Sequence, residues 1–340
     1  MHPQERKLRS RFRGALLGCA VGDALGFPHQ DYSRSFMRSL PGPLTAAFPK
    51  HSSGFYPLGQ YSDDTQEACA VAEAIIESGG VDGQIVAEHM IPLWRDQLIV
   101  DRSLAGTEAM QRIVKGETTW EHSGLPLGRI ENCSIPRVIA VGLWEHAHLE
   151  DLGDSAEKVT AITHRDPRPI AASAAYAAAL AYAVVSDDLI LGTFIDQVSR
   201  AAGRFSGDLA EAILDFPRIL SQTEYRAHEI ICRVAEGGPE GRTPGFDEGV
   251  TDNAIMTILA VIYDFLKNPF DFEKAVESAL RAGGDVDTVA ALTGALSGSL
   301  LGQEAIPEHL ATGVLDSAVI EDRADRLLNR WLECKGPKDE

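Results

Sequence analysis

Apolar residues recur at three- and four-residue spacing through most of the chain, the periodicity that places them on one face of an α-helix. Alanine fills many of these positions. The pattern predicts helices over 11–25, 65–78, 83–98, 136–146, 170–185, 194–205, 208–220, 224–235, 252–265, 272–282, 288–301 and 323–333. Runs that alternate Val, Ile or Thr with polar residues are scarce, so strands are not expected. The expected fold class is all-α. Two stretches break the periodicity. Residues 28–61 are rich in Pro, Gly, Ser and aromatics, and 236–249 (EGGPEGRTPGFDEG) hold five glycines and two prolines. Long irregular segments in a compact domain are more often functional than idle. No linker divides the chain, which predicts one domain over 8–334 and a frayed tail over 335–340.

Glycine recurs every fourth residue near both ends: Gly14, Gly18, Gly22 and Gly26, then Gly294, Gly298 and Gly302. On a helix that spacing forms one stripe, and a stripe without side chains lets a neighbouring backbone approach closely. The segments are too short and too polar for a membrane dimer interface. Tight packing in a soluble core is the expectation.

Composition narrows the field. With 340 residues, 44% hydrophobic and 24% charged, the chain can bury a large core. Its net charge of -19 argues against nucleic-acid partners and anionic membrane surfaces. Five scattered cysteines without a C-x-x-C pair fit reduced thiols and a cytoplasmic protein. The opening MHPQERK leads into no long apolar stretch, so no secretory signal is expected. The most apolar run, 170–185, is mostly alanine and falls short of the roughly 18 residues of a span; it reads as a buried helix.

Two acidic clusters carry the chemistry. Ser62-Asp63-Asp64-Thr65 and Gly283-Gly284-Asp285-Val286-Asp287-Thr288 each place two carboxylates beside a hydroxyl at the head of a helix. Helix capping explains one acid per helix but not the doubling at both places. Crowded carboxylates repel unless a cation lies between them, and an all-oxygen donor set suits Mg²⁺ or Mn²⁺ better than zinc. Together the clusters predict a two-metal site. Asp63-Asp64-Thr65-Gln66-Glu67 also fits the D-D-x-x-E element of all-α terpene synthases. Their second metal element is absent near Asp285, and an aromatic content of 7% is thin for a carbocation cavity.

The segments RFRGALLGCAVGDALG (11–26), YSDDTQEACAVAEAI (61–75), ITHRDP (162–167) and ALRAGGDVDTVAALTGALSGSLLG (279–302) stand in the order and spacing of the ADP-ribosylglycohydrolases, which the chain resembles over about 11–305. The resemblance implies a single all-α domain with two Mg²⁺ or Mn²⁺ ions. It implies that Ser62, Asp63, Asp64, Asp285, Asp287 and Thr288 ligate the metals, with Asp287 bridging, and that Asp63 or Asp64 orients the attacking water. Gly128, Asn132, Arg137 and His164 fall on segments that line the ADP-ribose pocket in the family. The implied activity is hydrolysis of the glycosidic bond between ADP-ribose and a protein side chain or small acceptor. A related cleavage of a nucleoside or nucleotide metabolite, or binding of ADP-ribose without turnover, are the alternatives.

The chain departs from the family pattern in three places. Gln30 occupies the position of a glutamate that approaches the metals and the scissile bond, and an amide cannot act as a base. The family's G-N-G-x-A-M-R is Glu131-Asn132-Cys133-Ser134-Ile135-Pro136-Arg137 here, without either glycine. Ser62 replaces the commoner threonine, which keeps a hydroxyl.

Overall fold

The computed structural model describes residues 2–236 and 246–336. Twelve longer helices carry the fold among the described residues: α1 (Pro3–Gly26), α2 (Asp63–Ser78), α3 (Gly83–Arg95), α4 (Leu104–Val114), α5 (Leu149–Ala161), α6 (Pro167–Val185), α7 (Leu191–Gly203), α8 (Ala254–Lys267), α9 (Phe272–Arg281), α10 (Val286–Leu301) and α11 (Ser317–Cys334), with the helix Glu224–Ala235 between α7 and α8. Short helices and 3₁₀ turns join them. Among the described residues there are four isolated β-bridges and no strand, so the all-α expectation holds.

The glycine stripes explain how the two ends of the chain meet. Helices α1 and α10 cross antiparallel with their backbones in contact. A methyl group placed on Gly18 would lie 2.3 Å from the Gly294 carbonyl oxygen, and one on Gly22 would lie 2.0 Å from that of Ala290. At Gly26 it would meet the Asp287 Cα at 2.4 Å. The stripe thus sets the head of α10 beside the tail of α1. Asp23, one residue past Gly22, then reaches the head of α2. Its carboxylate accepts hydrogen bonds from Ser62 N at 2.8 Å and Thr65 N at 3.0 Å. One helix therefore holds the heads of two others, and those heads carry the two acidic clusters.

α6 runs through the centre, packed on α5, α7, α8 and α10. By length and composition it could cross a membrane, but 89% of its apolar window is buried inside the fold. It is a core helix, and its Tyr176 hydroxyl is satisfied by the Leu292 carbonyl at 2.6 Å.

Several boundaries differ from the periodic pattern. α1 starts at Pro3, where proline at the first turn costs no hydrogen bond. The helix expected over 208–220 is two, because Pro217 cannot continue the first. The stretch 136–146 opens as a 3₁₀ turn at Pro136–Val138 before the helix Ile139–Trp144. Residues 28–61 contain the helix Arg34–Ser39 and two 3₁₀ turns rather than an open loop. α4 and α5 were not expected at all. Glycine in each obscured the pattern, and each has a packing reason: a methyl on Gly106 would strike the Ser103 cap, and one on Gly153 would strike Arg204. Of the segment 236–249, residues 237–245 lie outside the described residues, as do 337–340 of the expected tail.

Candidate active site

Both acidic clusters open onto one cavity of about 630 Å³. Asp63 and Asp64 reach it from the first turn of α2, and Asp285, Asp287 and Thr288 from the head of α10. Gln30 and Asn132 complete this inner wall, while Asp31, Asp101, Glu131, Glu248 and Asp252 add carboxylates around it.

Glycine threads the second cluster into place. Gly283 and Gly284 both have left-handed φ (+71° and +80°) and pass between two extended segments. Gly284 N donates to the Tyr32 carbonyl at 2.8 Å, and Asp285 N to that of Val250 at 2.7 Å. A methyl on Gly284 would lie 2.0 Å from the Val250 oxygen, so no side chain fits there. This three-way junction brings Asp31 and Asp252 beside Asp285.

The electrostatics of the inner wall call for a cation. Burial, then mutual repulsion, pushes the carboxyls of Asp63, Asp64 and Asp287 well above the usual range. Asp285 and Asp287 interact directly, and after burial the charge of Asp285 is the main influence holding the Asp287 carboxyl up. Asp64 Oδ2 and Asp287 Oδ1 are buried without any hydrogen-bond partner. Orphaned buried oxygens of this kind are unusual and need an explanation. A divalent ion supplies one, since it would neutralise the crowded carboxylates and satisfy both atoms. The donor set is all oxygen, which fits Mg²⁺ or Mn²⁺. Among the described residues, no three His, Cys, Asp or Glu side chains yet converge on one point as a closed cage. Asp285 is held instead by Asn132 Nδ2 at 2.5 Å and Thr288 Oγ1 at 3.2 Å, and Asp63 by Ser103 N at 3.2 Å.

The remaining expected residues fall around this centre. Ser62 is fully buried and off the cavity wall; its hydroxyl accepts from Asp64 N at 3.3 Å as the cap of α2. Gln30 lines the cavity and hydrogen-bonds Asp101. Cys133 also lines it, but burial pushes its thiol up to about 12, so it is no nucleophile at neutral pH.

A family model described as ADP-ribosylglycohydrolase matches residues 4–336. The chain belongs to the ADP-ribosylglycohydrolase family. It is an enzyme of the hydrolase class. The ADP-ribosyl-[dinitrogen reductase] glycohydrolase of Rhodospirillum rubrum is 25% identical over 308 residues, covering 88% of each chain. The ADP-ribosylarginine hydrolase Tri1 of Serratia proteamaculans is 23% identical over 336 residues, covering 96% of this chain and 80% of its own. A solved structure titled ADP-ribosylglycohydrolase-related protein complex superposes with a TM-score of 0.68 at 21% identity, covering 96% of this chain and 99% of that one. That similarity establishes the fold.

Against the family's pocket-lining segments, Arg137 and His164 lie behind the wall rather than on it, and the exposed Gly128 lies away from it. Arg137 is fully buried, with Nε 2.5 Å from Glu67 Oε2 and Nη1 2.6 Å from Thr163 Oγ1. Thr163 Oγ1 also lies 2.9 Å from His164 Nδ1 and 3.5 Å from the Thr160 carbonyl. The other ring nitrogen of the buried His164, Nε2, faces Glu131 Oε2 at 3.5 Å, and a proton there would point at that carboxylate. Burial lowers the His164 pKa, so the ring is neutral. Desolvation opposes ionisation of Glu131, but His164 facing its Oε2 and the hydrogen bond from Arg129 Nε to its Oε1 prevail and hold the carboxyl at about 2. Gly128, with φ +97°, donates its N–H to Asp166 Oδ2 at 2.8 Å, and it too is off the cavity wall. The resemblance placed Gly128, Arg137 and His164 near the nucleotide; here Arg137 and His164 support the wall through Glu131.

Asp23, Asp31, Asp101, Arg102 and Glu131 were missed as candidates. For Asp101 the chain offers one cue, its place just before the Ser103 cap of α4. Asp31 and Asp101 both adopt positive φ (65° and 50°), which a sequence does not announce.

Proposed function

We propose that the protein hydrolyses the glycosidic bond between ADP-ribose and a protein side chain or small acceptor, with two Mg²⁺ or Mn²⁺ ions. The observation that carries this reading is the convergence of Asp63, Asp64, Asp285 and Asp287 on one cavity, with orphaned oxygens on Asp64 and Asp287. The names of the Rhodospirillum rubrum and Serratia proteamaculans relatives, both hydrolases of ADP-ribosyl bonds, support the bond class. Asp63, Asp64, Asp285, Asp287 and Thr288 would hold the ions, and Ser62 contributes by capping the turn that presents two of them. Such ions, when bound, orient ribose hydroxyls and ease ionisation of water.

The protein's own groups divide the remaining work. Gln30 cannot take a proton, but its amide hydrogen-bonds Asp101, whose carboxylate faces the same cavity. Asp101 is the group that accepts the proton of the attacking water. The carboxylate wall stabilises the positive charge that develops at the anomeric carbon as the leaving group departs. Asn132, held between Thr257 and Asp285, keeps the second cluster in register.

The test is release of ADP-ribose from ADP-ribosylated arginine and serine substrates with Mg²⁺, Mn²⁺ or chelator. Metal-dependent release supports the reading. The paired change Asp63→Asn with Asp285→Asn should abolish metal binding by calorimetry; unchanged affinity would show that the ions bind elsewhere.

A further inference from the structure

Arg102 stands on the cavity wall and, among the described residues, has no hydrogen-bond or ion-pair partner. In a chain of net charge -19, an exposed, unpaired arginine on a wall that several carboxylates also line calls for a reason. Its backbone is well fixed. Asp101 before it takes a left-handed turn (φ +50°), and Ser103 after it donates its N–H to Asp63 Oδ2 at 3.2 Å. Ser103 Oγ also caps α4 by accepting from Gly106 N at 3.1 Å. Arg102 is thus tied to the inner carboxylates while its head stays free, at the positive end of an eleven-residue helix. Beside it, Leu104 also lines the cavity and is 83% exposed, an apolar surface of the kind a nucleobase or ribose covers.

We propose that Arg102 binds the diphosphate of the substrate and selects ADP-ribosyl compounds over unphosphorylated ribosides. This inference rests on the functional reading above. A diphosphate must enter a cavity whose rim is anionic even after ions neutralise the inner carboxylates. Arg102 is the single cationic side chain on that wall among the described residues. A guanidinium presents paired donors that match phosphate oxygens. Were Arg102 there merely to balance the acids, it would have closed onto one of them.

Calorimetry on the full chain with Mn²⁺ tests the assignment, using ADP-ribose, adenosine and ribose as probes. Arg102→Ala should weaken ADP-ribose binding about tenfold or more and flatten its salt dependence, while adenosine and ribose change less than about twofold. Arg102→Lys should fall between. With ADP-ribosylated substrate, KM should rise and kcat hold. Equal losses for ADP-ribose and ribose, no loss for any probe, or a drop in Mn²⁺ affinity would overturn the assignment. Wild-type protein that binds ribose but not ADP-ribose would also overturn it, yet leave ribosyl-bond hydrolysis standing. Wild-type protein that binds none of the probes with Mn²⁺ would remove the functional reading and the assignment together.

Discussion

The carboxylate of Asp23 accepts both the hydroxyl of Thr65, at 2.6 Å, and its backbone N–H, at 3.0 Å. Together with the bond from Ser62 N, this closes the first turn of α2 from outside the helix. The turn so closed is the one that aims Asp63 and Asp64 into the cavity. Asp23→Ala would leave buried donors unpaired, each worth about 1–3 kcal/mol. A loss of about 3 kcal/mol or more in urea unfolding is expected, with weaker Mn²⁺ binding. Asp23→Asn, which keeps one acceptor, should lose less. An Ala variant with native metal affinity would show that α2 holds its first turn unaided.

The contact of α1 with α10 gives a second prediction. At Gly22 an added methyl meets backbone, the Ala290 carbonyl, which cannot swing aside as a side chain could. Overpacking of a core costs about 1–3 kcal/mol where side chains can adjust, and Gly22→Ala should reach or exceed the top of that range. Because the same crossing seats Asp287 beside Gly26, metal affinity should fall with stability. Gly192→Ala is the control. Nothing lies within 4 Å of its added methyl, so thermal unfolding should be unchanged or slightly higher. Similar melting of the two variants would remove the crossing as the organiser of the site.

How much of this was legible in the chain follows from what each signal encodes. The acidic clusters and the glycine stripes are local patterns, and both appear where the periodicity placed them. Their meeting required Asp23, whose role depends on a partner 39 residues away, and no local pattern encodes that. Arg137 shows the opposite failure. Its motif position implied contact with nucleotide, yet it is buried against Glu67, because the charge of Glu67 had no other partner in the core. α5 went unseen because a glycine interrupted its apolar face. That glycine makes room for Arg204 from another helix, a tertiary demand that periodicity does not record.

Asp264 gives a pH-dependent prediction remote from the cavity wall. Full burial drives its carboxyl from 3.8 up to about 7, against a hydrogen bond donated by Ser278 Oγ at 2.6 Å. A carboxyl whose folded pKa is raised binds its proton more tightly when folded. Its stabilising contribution is complete below about pH 4 and is lost as pH rises through 7. Asp264→Asn removes the ionisation while keeping an oxygen for Ser278. Relative to wild type, the variant should gain roughly 2.5 kcal/mol between pH 5 and pH 8, since each pKa unit is worth about 1.4 kcal/mol. Urea midpoints at the two pH values decide the matter, and an offset independent of pH would show that Asp264 stays protonated throughout.

Gln30 and Asp101 decide between two accounts of the missing glutamate. On one account the enzyme is attenuated, and Gln30→Glu restores a lost base with a gain in kcat. On the other, Asp101 already supplies the carboxylate, and Gln30 serves it as a hydrogen-bond donor. The second is favoured because burial raises the Asp101 pKa, the Gln30 amide beside it opposes that rise, and the charge of Asp31 adds to it. A glutamate at position 30 would withdraw that donor and add a like charge, which raises the Asp101 pKa further. Gln30→Glu should therefore leave kcat equal or lower at pH 7 and move the acidic limb of the kcat profile upward. Asp101→Asn should lose about 100-fold or more, the range of positioned acid–base groups. If Gln30→Glu accelerates turnover severalfold while Asp101→Asn stays active, the base belongs at position 30 and this enzyme has lost it.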